Sequence, residues 1–221
     1  MYDSIFVLIP TFEPSLKLYK VLDNLKDAGF KNIIIVDDGS YDKAIFKRIK
    51  DYKILRHDKN LGKGEALKTG FKYIFSLNCD GVITVDDDLQ QDISDIKAVA
   101  DKFLESRNVV LGVRTFDKTV PFKRRFANKS VAFIFNMKYK TKISDTQTGL
   151  RCFPKKILND LCEVSGSGFE YEINVLKYLA ANNIQVDFVP IKTIYNDEVS
   201  RYKDLKDSYK IIKAILEKNK K

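Results

Sequence analysis

Gly81-Val82-Ile83-Thr84-Val85-Asp86-Asp87-Asp88-Leu89-Gln90-Gln91 sets the reading of this chain. Its first half is a short β-branched apolar run, the composition of a strand buried on both faces. Its second half delivers three carboxylates where that strand ends. Like charges crowded together repel and are costly to desolvate, so the cluster predicts a bound hard cation; the other reading is a solvated acidic turn. In extended backbone alternate side chains share a side, so Asp86 and Asp88 point together, and Gln90 joins them if the chain stays extended or turns inward. Oxygen ligands of this kind, with room for a diphosphate, suit Mg²⁺ or Mn²⁺.

Outward from this strand, similar runs at Ile5–Ile9, Ile33–Val36 and Val109–Val113, and a weaker one at Tyr52–Arg56, predict further buried parallel strands. Helical patterns lie between them. One is capped by Ser15, carries Leu18, Val21, Leu22 and Leu25 and stops near Gly29; others cover Glu65–Leu77 and Ser94–Glu105. Strand–helix alternation predicts an α/β fold, a Rossmann-like doubly wound and mostly parallel sheet with ligands beyond the carboxyl ends of its strands. After Val113 the rhythm changes. A basic-aromatic helix over Phe122–Tyr139 is followed by a polar loop, Ser144–Gly149, and a short strand, Leu150–Phe153. A helix from near Phe169, a strand at Gln185–Val189 and an amphipathic helix over Leu205–Glu217 complete the pattern. No linker or repeat interrupts it, so residues 1–221 are expected to form a single domain, with 1–115 built for a nucleotide and 116–221 for something else.

Composition narrows the class. A hydrophobic fraction of 44% suits a soluble globular protein. No apolar run approaches the ~20 residues of a membrane span, and the N-terminus lacks the basic leader and cleavage site of a signal peptide. Cys79, Cys152 and Cys162 stand at unrelated spacings, which predicts buried thiols in a reducing cytoplasm rather than disulfides or a zinc site. His57 is the single histidine, which weakens any histidine-based metal site or Ser-His-Asp triad. The net charge of +9 permits nucleic acid, an anionic membrane or polyanionic small molecules as partners. The basic residues gather at Lys118–Lys142 and Lys203–Lys221.

Two further strand ends carry polar residues. Ile33–Val36 runs into Asp37-Asp38-Gly39-Ser40, where a carboxylate can accept hydrogen bonds from a base or ribose and Gly39 allows a tight turn; Asp-Gly is equally a common turn. Pro10, Thr11 and Glu13, at the end of the first strand, face the same crevice. Asn60–Lys68 is glycine-rich but is neither a Walker loop, since Gly64-Glu65 follows Lys63, nor a dinucleotide fingerprint, since Leu67 replaces the third glycine. It can still present N–H groups and Lys63 to an anion at a helix start.

Pro10-Thr11-Phe12, Val36-Asp-Asp-Gly-Ser40, Asn60-x-Gly-Lys-Gly64, Asp86-x-Asp-x-Gln90, Asp145-Thr-Gln-Thr-Gly-Leu-Arg151 and Phe169-Glu-Tyr-Glu172 occur in this order. The set resembles glycosyltransferase family 2 and, within it, the dolichyl-phosphate-mannosyltransferase-like branch, over nearly the whole chain. The resemblance implies a GT-A fold, a UDP- or GDP-sugar donor, a divalent metal and inversion at the anomeric carbon. Carried over by position, it implies that Pro10, Thr11 and Glu13 line the donor pocket, with Lys63 and Asp87 also on the donor side. Asp38, with Asp37, recognises the base, and Asp86, Asp88 and Gln90 hold the metal and diphosphate. Arg124, Arg125 and Asn128 fall near an acceptor phosphate, and Asp145 and Arg151 lie in the acceptor-side motif. The chain departs from the pattern in Glu13-Pro14, in the charged Asp87, in lacking transmembrane helices after the catalytic region, and in Ser200-Arg201-Tyr202.

On this reading Asp86 and Asp88 hold a metal that stabilises the departing diphosphate. A hydroxyl acceptor requires a base, for which Asp145 is the candidate with Glu170 and Glu172 in reserve. A lipid phosphate requires arginines instead, here Arg124 and Arg125. The acceptor is then a polyprenyl phosphate or a cell-surface glycan intermediate. The protein is expected in the cytoplasm, with the final basic helix able to rest on an anionic membrane at its inner face. Nucleic acid is not an expected partner, because the carboxylates would repel it. The alternatives are a sugar nucleotidyltransferase and, on charge alone, a non-enzymatic nucleic-acid-binding protein.

Overall fold

Strand β1 (Ile5–Thr11) occupies the middle of a seven-stranded sheet. The structure, a computed structural model, describes residues 2–115, 122–192 and 215, with backbone alone for 122–128. β1 is followed by α1 (Lys17–Asp27), β2 (Asn32–Asp37), β3 (Lys53–Arg56), α2 (Lys63–Phe75), β4 (Gly81–Thr84), α3 (Ile93–Ser106) and β5 (Val109–Arg114). Then come α4 (Phe122–Tyr139), β6 (Arg151–Pro154), α5 (Leu158–Glu163), α6 (Glu170–Ala181) and β7 (Val186–Ile191). The strand order is β3-β2-β1-β4-β6-β5-β7. Neighbouring pairs are parallel except at β6, which runs antiparallel to both β4 and β5. This is the expected α/β GT-A-like fold in a single domain.

Alternation along the strands sends side chains to two cores. Leu8, Ile34, Val36 and Val82 pack with α2, α4, α5 and α6 on one face. Val7, Ile9, Ile33, Ile35 and Ile83 pack with α1 and α3 on the other. Both faces of the central strands are therefore dry, which is why their sequences read as unbroken apolar runs. Each such aliphatic side chain contributes about 2 kcal/mol of burial, offset by chain entropy.

The cap expected at Ser15 is displaced by one residue: Leu16 stands at the cap position without a side-chain bond, and Ser15 Oγ accepts the Lys17 amide at 3.3 Å. α3 carries a true cap, Asp92 accepting the Ser94 amide at 2.8 Å. Among the described residues no helix is long and apolar enough to cross a membrane.

Candidate active site

The direction of β6 decides what the site contains. Its neighbours end at the carboxyl edge of the sheet, so an antiparallel strand begins there. The register pairs Arg151 with Thr84, two residues before the first aspartate of the acidic motif. The loop ahead of β6, residues 145–149, thus arrives beside Asp86. Thr84 Oγ1 donates to the Gly149 carbonyl at 2.7 Å, and a Cβ on Gly149 would stand 2.5 Å from Asp86 Oδ2.

Within the acidic motif the three carboxylates have different partners. Asp86 accepts from Lys63 Nζ on Oδ1 and from Gln91 Nε2 on Oδ2, each at 2.8 Å. Asp87 is buried and accepts the Thr11 hydroxyl. Asp88 accepts the Gln90 amide at 2.9 Å. Its burial, with the charges of Asp86 and Asp87 beside it, pushes its carboxyl up to about 6. The expected alignment of Gln90 is corrected: Leu89 turns left-handed at φ 61°, so the Gln90 side chain faces solvent and Gln91 takes the place against Asp86.

Among the described residues no three His, Cys, Asp or Glu side chains close around an ion by themselves. The neighbouring carboxylates of Asp86 and Asp88 are hard oxygen donors of the kind that suit Mg²⁺ or Mn²⁺, ions bound through one or two carboxylates and completed by ligand oxygens and water. The crowded charge at Asp88 fits the same need.

Lys63, the first residue of α2, bridges two acids, with Nζ 2.8 Å from Asp86 Oδ1 and 3.2 Å from Glu172 Oε1. Burial works against its charge, but Asp86 and Glu172 outweigh burial and raise the ammonium above its usual value. The expectation that the start of α2 offers amides to an anion is corrected. The Gly64 and Glu65 amides donate to the Ser167 carbonyl at 2.7 and 3.3 Å.

At the carboxyl end of β1, Pro10 and Thr11 sit opposite Val36 and Asp37. Asp37 accepts the Ser40 amide at 2.9 Å, and Arg56 faces its Oδ2 at 2.8 Å without an aligned hydrogen bond. Glu13 fastens the loop after β2: its amide donates to Ser40 Oγ at 2.9 Å, and its carboxylate accepts the Tyr41 amide at 2.6 Å. Asp38, the residue expected to recognise the base, pins the loop ahead of α2. Its oxygens accept the Leu61 and Gly62 amides at 2.9 and 2.7 Å, and His57 Nδ1 lies 2.7 Å away. His57 Nε2 reaches Thr69 Oγ1 at 2.9 Å.

On the other side, Asp145 is fully buried. Arg114 Nε and Nη2 donate to its two oxygens at 2.7 and 3.0 Å, and the Gln147 amide adds a bond at 3.0 Å. Both oxygens of Asp145, the expected base, are engaged by the one guanidinium, so this carboxylate orients Arg114. Sequence reasoning missed Arg114; the signal was a lone cation ending an apolar strand. Arg151 is buried and donates to the carbonyls of Thr148, Glu172 and Thr146 at 2.8, 2.8 and 3.4 Å. Burial pulls its guanidinium below the usual value, against the pull of Glu172 and Asp145. Glu170 accepts the Ser167 and Gly168 amides, both at 3.0 Å, and so shapes the turn before α6.

The side chains of Arg124, Arg125 and Asn128 lie outside the described residues, as does the final helix apart from Ile215. That residue is buried, and its carbonyl accepts Lys138 Nζ at 2.6 Å. Within α4, Phe135 is core while Phe133 and Met137 are exposed. All three cysteines are unbridged; Cys152 is buried as expected, whereas Cys79 and Cys162 are only half-buried.

Comparison with known proteins places this arrangement. The family described as Glycosyl transferase family 2 matches residues 6–162. A Methanocaldococcus jannaschii protein of uncharacterised function is 34% identical over 98% of this chain and 93% of its own. The UDP-N-acetylglucosamine–dolichyl-phosphate N-acetylglucosaminyltransferase of Methanococcus voltae is 29% identical over 96% of this chain and 94% of its own. Among solved structures, glucosyl-3-phosphoglycerate synthase from Mycobacterium tuberculosis bound to uridine diphosphate superposes with a TM-score of 0.74. It covers 96% of this chain and 79% of that one at 16% identity, a likeness of fold. The same enzyme has also been solved with Mn²⁺, uridine diphosphate and glucosyl-3-phosphoglycerate.

Proposed function

The chain belongs to glycosyltransferase family 2, and from that membership we propose an inverting, metal-dependent enzyme that moves a sugar from a UDP-sugar to a polyprenyl phosphate. It is a glycosyltransferase with a nucleotide-sugar donor, which sets aside the nucleotidyltransferase and nucleic-acid-binding readings. The Methanococcus voltae relative, with its UDP-sugar donor and dolichyl-phosphate acceptor, supports the finer assignment.

One observation carries the choice of acceptor. A hydroxyl nucleophile needs a carboxylate to take its proton. Among the described residues, each acid of the acceptor side nominated for that role has another task. Asp145 is tied to Arg114, Glu170 to two backbone amides and Glu172 to Lys63. An acceptor phosphate is already anionic and needs positive charge instead. Arg124 and Arg125 are proposed to supply it, with the neutral amide of Asn128 as a hydrogen-bond donor beside them.

Asp88, with Asp86 beside it, would hold the divalent cation. When bound, that ion neutralises charge on the diphosphate leaving group. The chain's own residues do the remaining work. Thr11 fixes Asp87, and Gln91 and Lys63 fix Asp86. Asp38 holds the glycine turn ahead of α2, so the donor is bound by a preorganised wall. Residues 1–115 are assigned to the donor and 116–221 to the acceptor, with contact to an anionic membrane surface where a lipid acceptor resides.

Purified protein incubated with labelled UDP-N-acetylglucosamine and polyprenyl phosphate in detergent should give Mn²⁺-dependent label in the lipid fraction. Label that passes only to hydroxyl acceptors, or transfer indifferent to chelation, would overturn the assignment.

A further inference from the structure

Three elements far apart in sequence meet at one ammonium: Lys63 opens α2, Asp86 follows β4 and Glu172 lies in the first turn of α6. The backbone repeats the connection, since the Ser167 carbonyl ahead of α6 accepts the Gly64 amide of α2 at 2.7 Å. α2 and α6 are therefore fixed to each other at their N-termini, and the lysine between them faces the acidic motif.

Glu172 is poorly placed to meet an acceptor. Its side chain is 11% exposed and one oxygen faces Lys63, while its backbone carbonyl is taken by Arg151. A carboxylate this buried is stable only when paired. Lysine carries a compact charge on a long flexible stem, so a single partner leaves it loosely placed. With acids on two sides it is defined. Asp86 is clamped in turn, Oδ1 by Lys63 and Oδ2 by Gln91.

We propose that Glu172 is a positioning residue for the donor site, acting through Lys63 on Asp86, and not an acceptor-binding group. The proposal rests on the donor-site reading above. Glu172 divides the charge of Lys63 between two acids. Without that division the ammonium falls wholly on Asp86, cancels negative charge that a cation and its diphosphate need, and pulls the carboxylate out of place. Groups that orient a metal-holding side chain typically change affinity by about 10- to 100-fold when removed.

Two measurements test it. Isothermal titration of UDP in the presence of Mn²⁺ should show Glu172→Gln binding about tenfold more weakly than wild type, by the same reasoning, with the KM for polyprenyl phosphate unchanged. Without metal or nucleotide, thermal denaturation of Glu172→Gln, Asp86→Asn and the double variant should show coupling, and that coupling should vanish in a Lys63→Met background. Unchanged UDP affinity with a raised acceptor KM would overturn the proposal. So would additive effects of the two variants, or coupling that survives Lys63→Met. If wild type itself binds neither UDP nor GDP with Mn²⁺, the donor reading fails, while the denaturation cycle still decides whether Glu172 holds Asp86.

Discussion

Gly149 lies directly on the carboxylate of Asp86, so close that a Cβ at position 149 would stand 2.5 Å from Oδ2. The loop ahead of β6 and the acidic motif therefore touch through a residue with no side chain. Gly149→Ala must push Asp86 off its bond to Gln91 or shift the loop. Overpacking of this kind costs about 1–3 kcal/mol. Binding of UDP with Mn²⁺ should weaken by more than stability alone explains. Wild-type affinity in the alanine variant, measured by titration, would show that Asp86 has slack.

Asp88 gives a pH signature. Its carboxyl is raised from 3.8 to about 6 by burial and by Asp86 and Asp87. A raised acid favours the folded state while protonated, and that contribution is lost as pH climbs from about 4 through about 6. In metal-free buffer Asp88→Asn should therefore be more thermostable than wild type at pH 7.5, with the difference closing near pH 4. The same variant should lose metal-dependent nucleotide binding. Parallel melting curves across that range would contradict the argument.

Asp145→Asn separates a structural acid from a base. Breaking a buried pair by removing one partner costs about 3–5 kcal/mol, less here because Arg114 is 28% exposed. Denaturant midpoints should fall accordingly. The residual kcat with a polyprenyl phosphate should keep the wild-type pH profile. Loss of the acidic limb of that profile would restore Asp145 as the base.

Asp38→Ala removes the acceptor of two backbone amides. These amides are only partly buried and can turn to water, so the cost stays below the about 1–3 kcal/mol of a fully buried donor, but the turn at Leu61 and Gly62 should loosen. Hydrogen exchange at those two amides should accelerate well beyond the global change in stability. Unaltered protection there would mean that the carboxylate is dispensable to the turn.

The strands were legible because both faces of the central ones are buried, and even the weak run at Tyr52–Arg56 is β3, at the sheet edge. Helix limits were legible to within a few residues, the cap at Ser15 failing because local bonding by serine does not reveal which residue turns first. The direction of β6 was not legible, since a four-residue strand carries no mark of which way it runs, yet it brings Asp145 to the site. Gln90 was misplaced because nothing in Asp88-Leu89-Gln90 announces a left-handed leucine. Asp38 and Asp145 were recognised as important, but their partners, His57 and Arg114, lie 19 and 31 residues away in sequence. Long-range pairings of that kind are settled by packing and leave no local pattern.

Because β6 opposes its neighbours, the segment that begins it is stitched into the interior of the sheet rather than hung from its rim. Grafting a foreign loop over residues 145–149 would have to preserve the pairing of Arg151 with Thr84, or else split the sheet in two. Changes on the outer side of β7, an edge strand paired with β5 alone, leave that central seam intact.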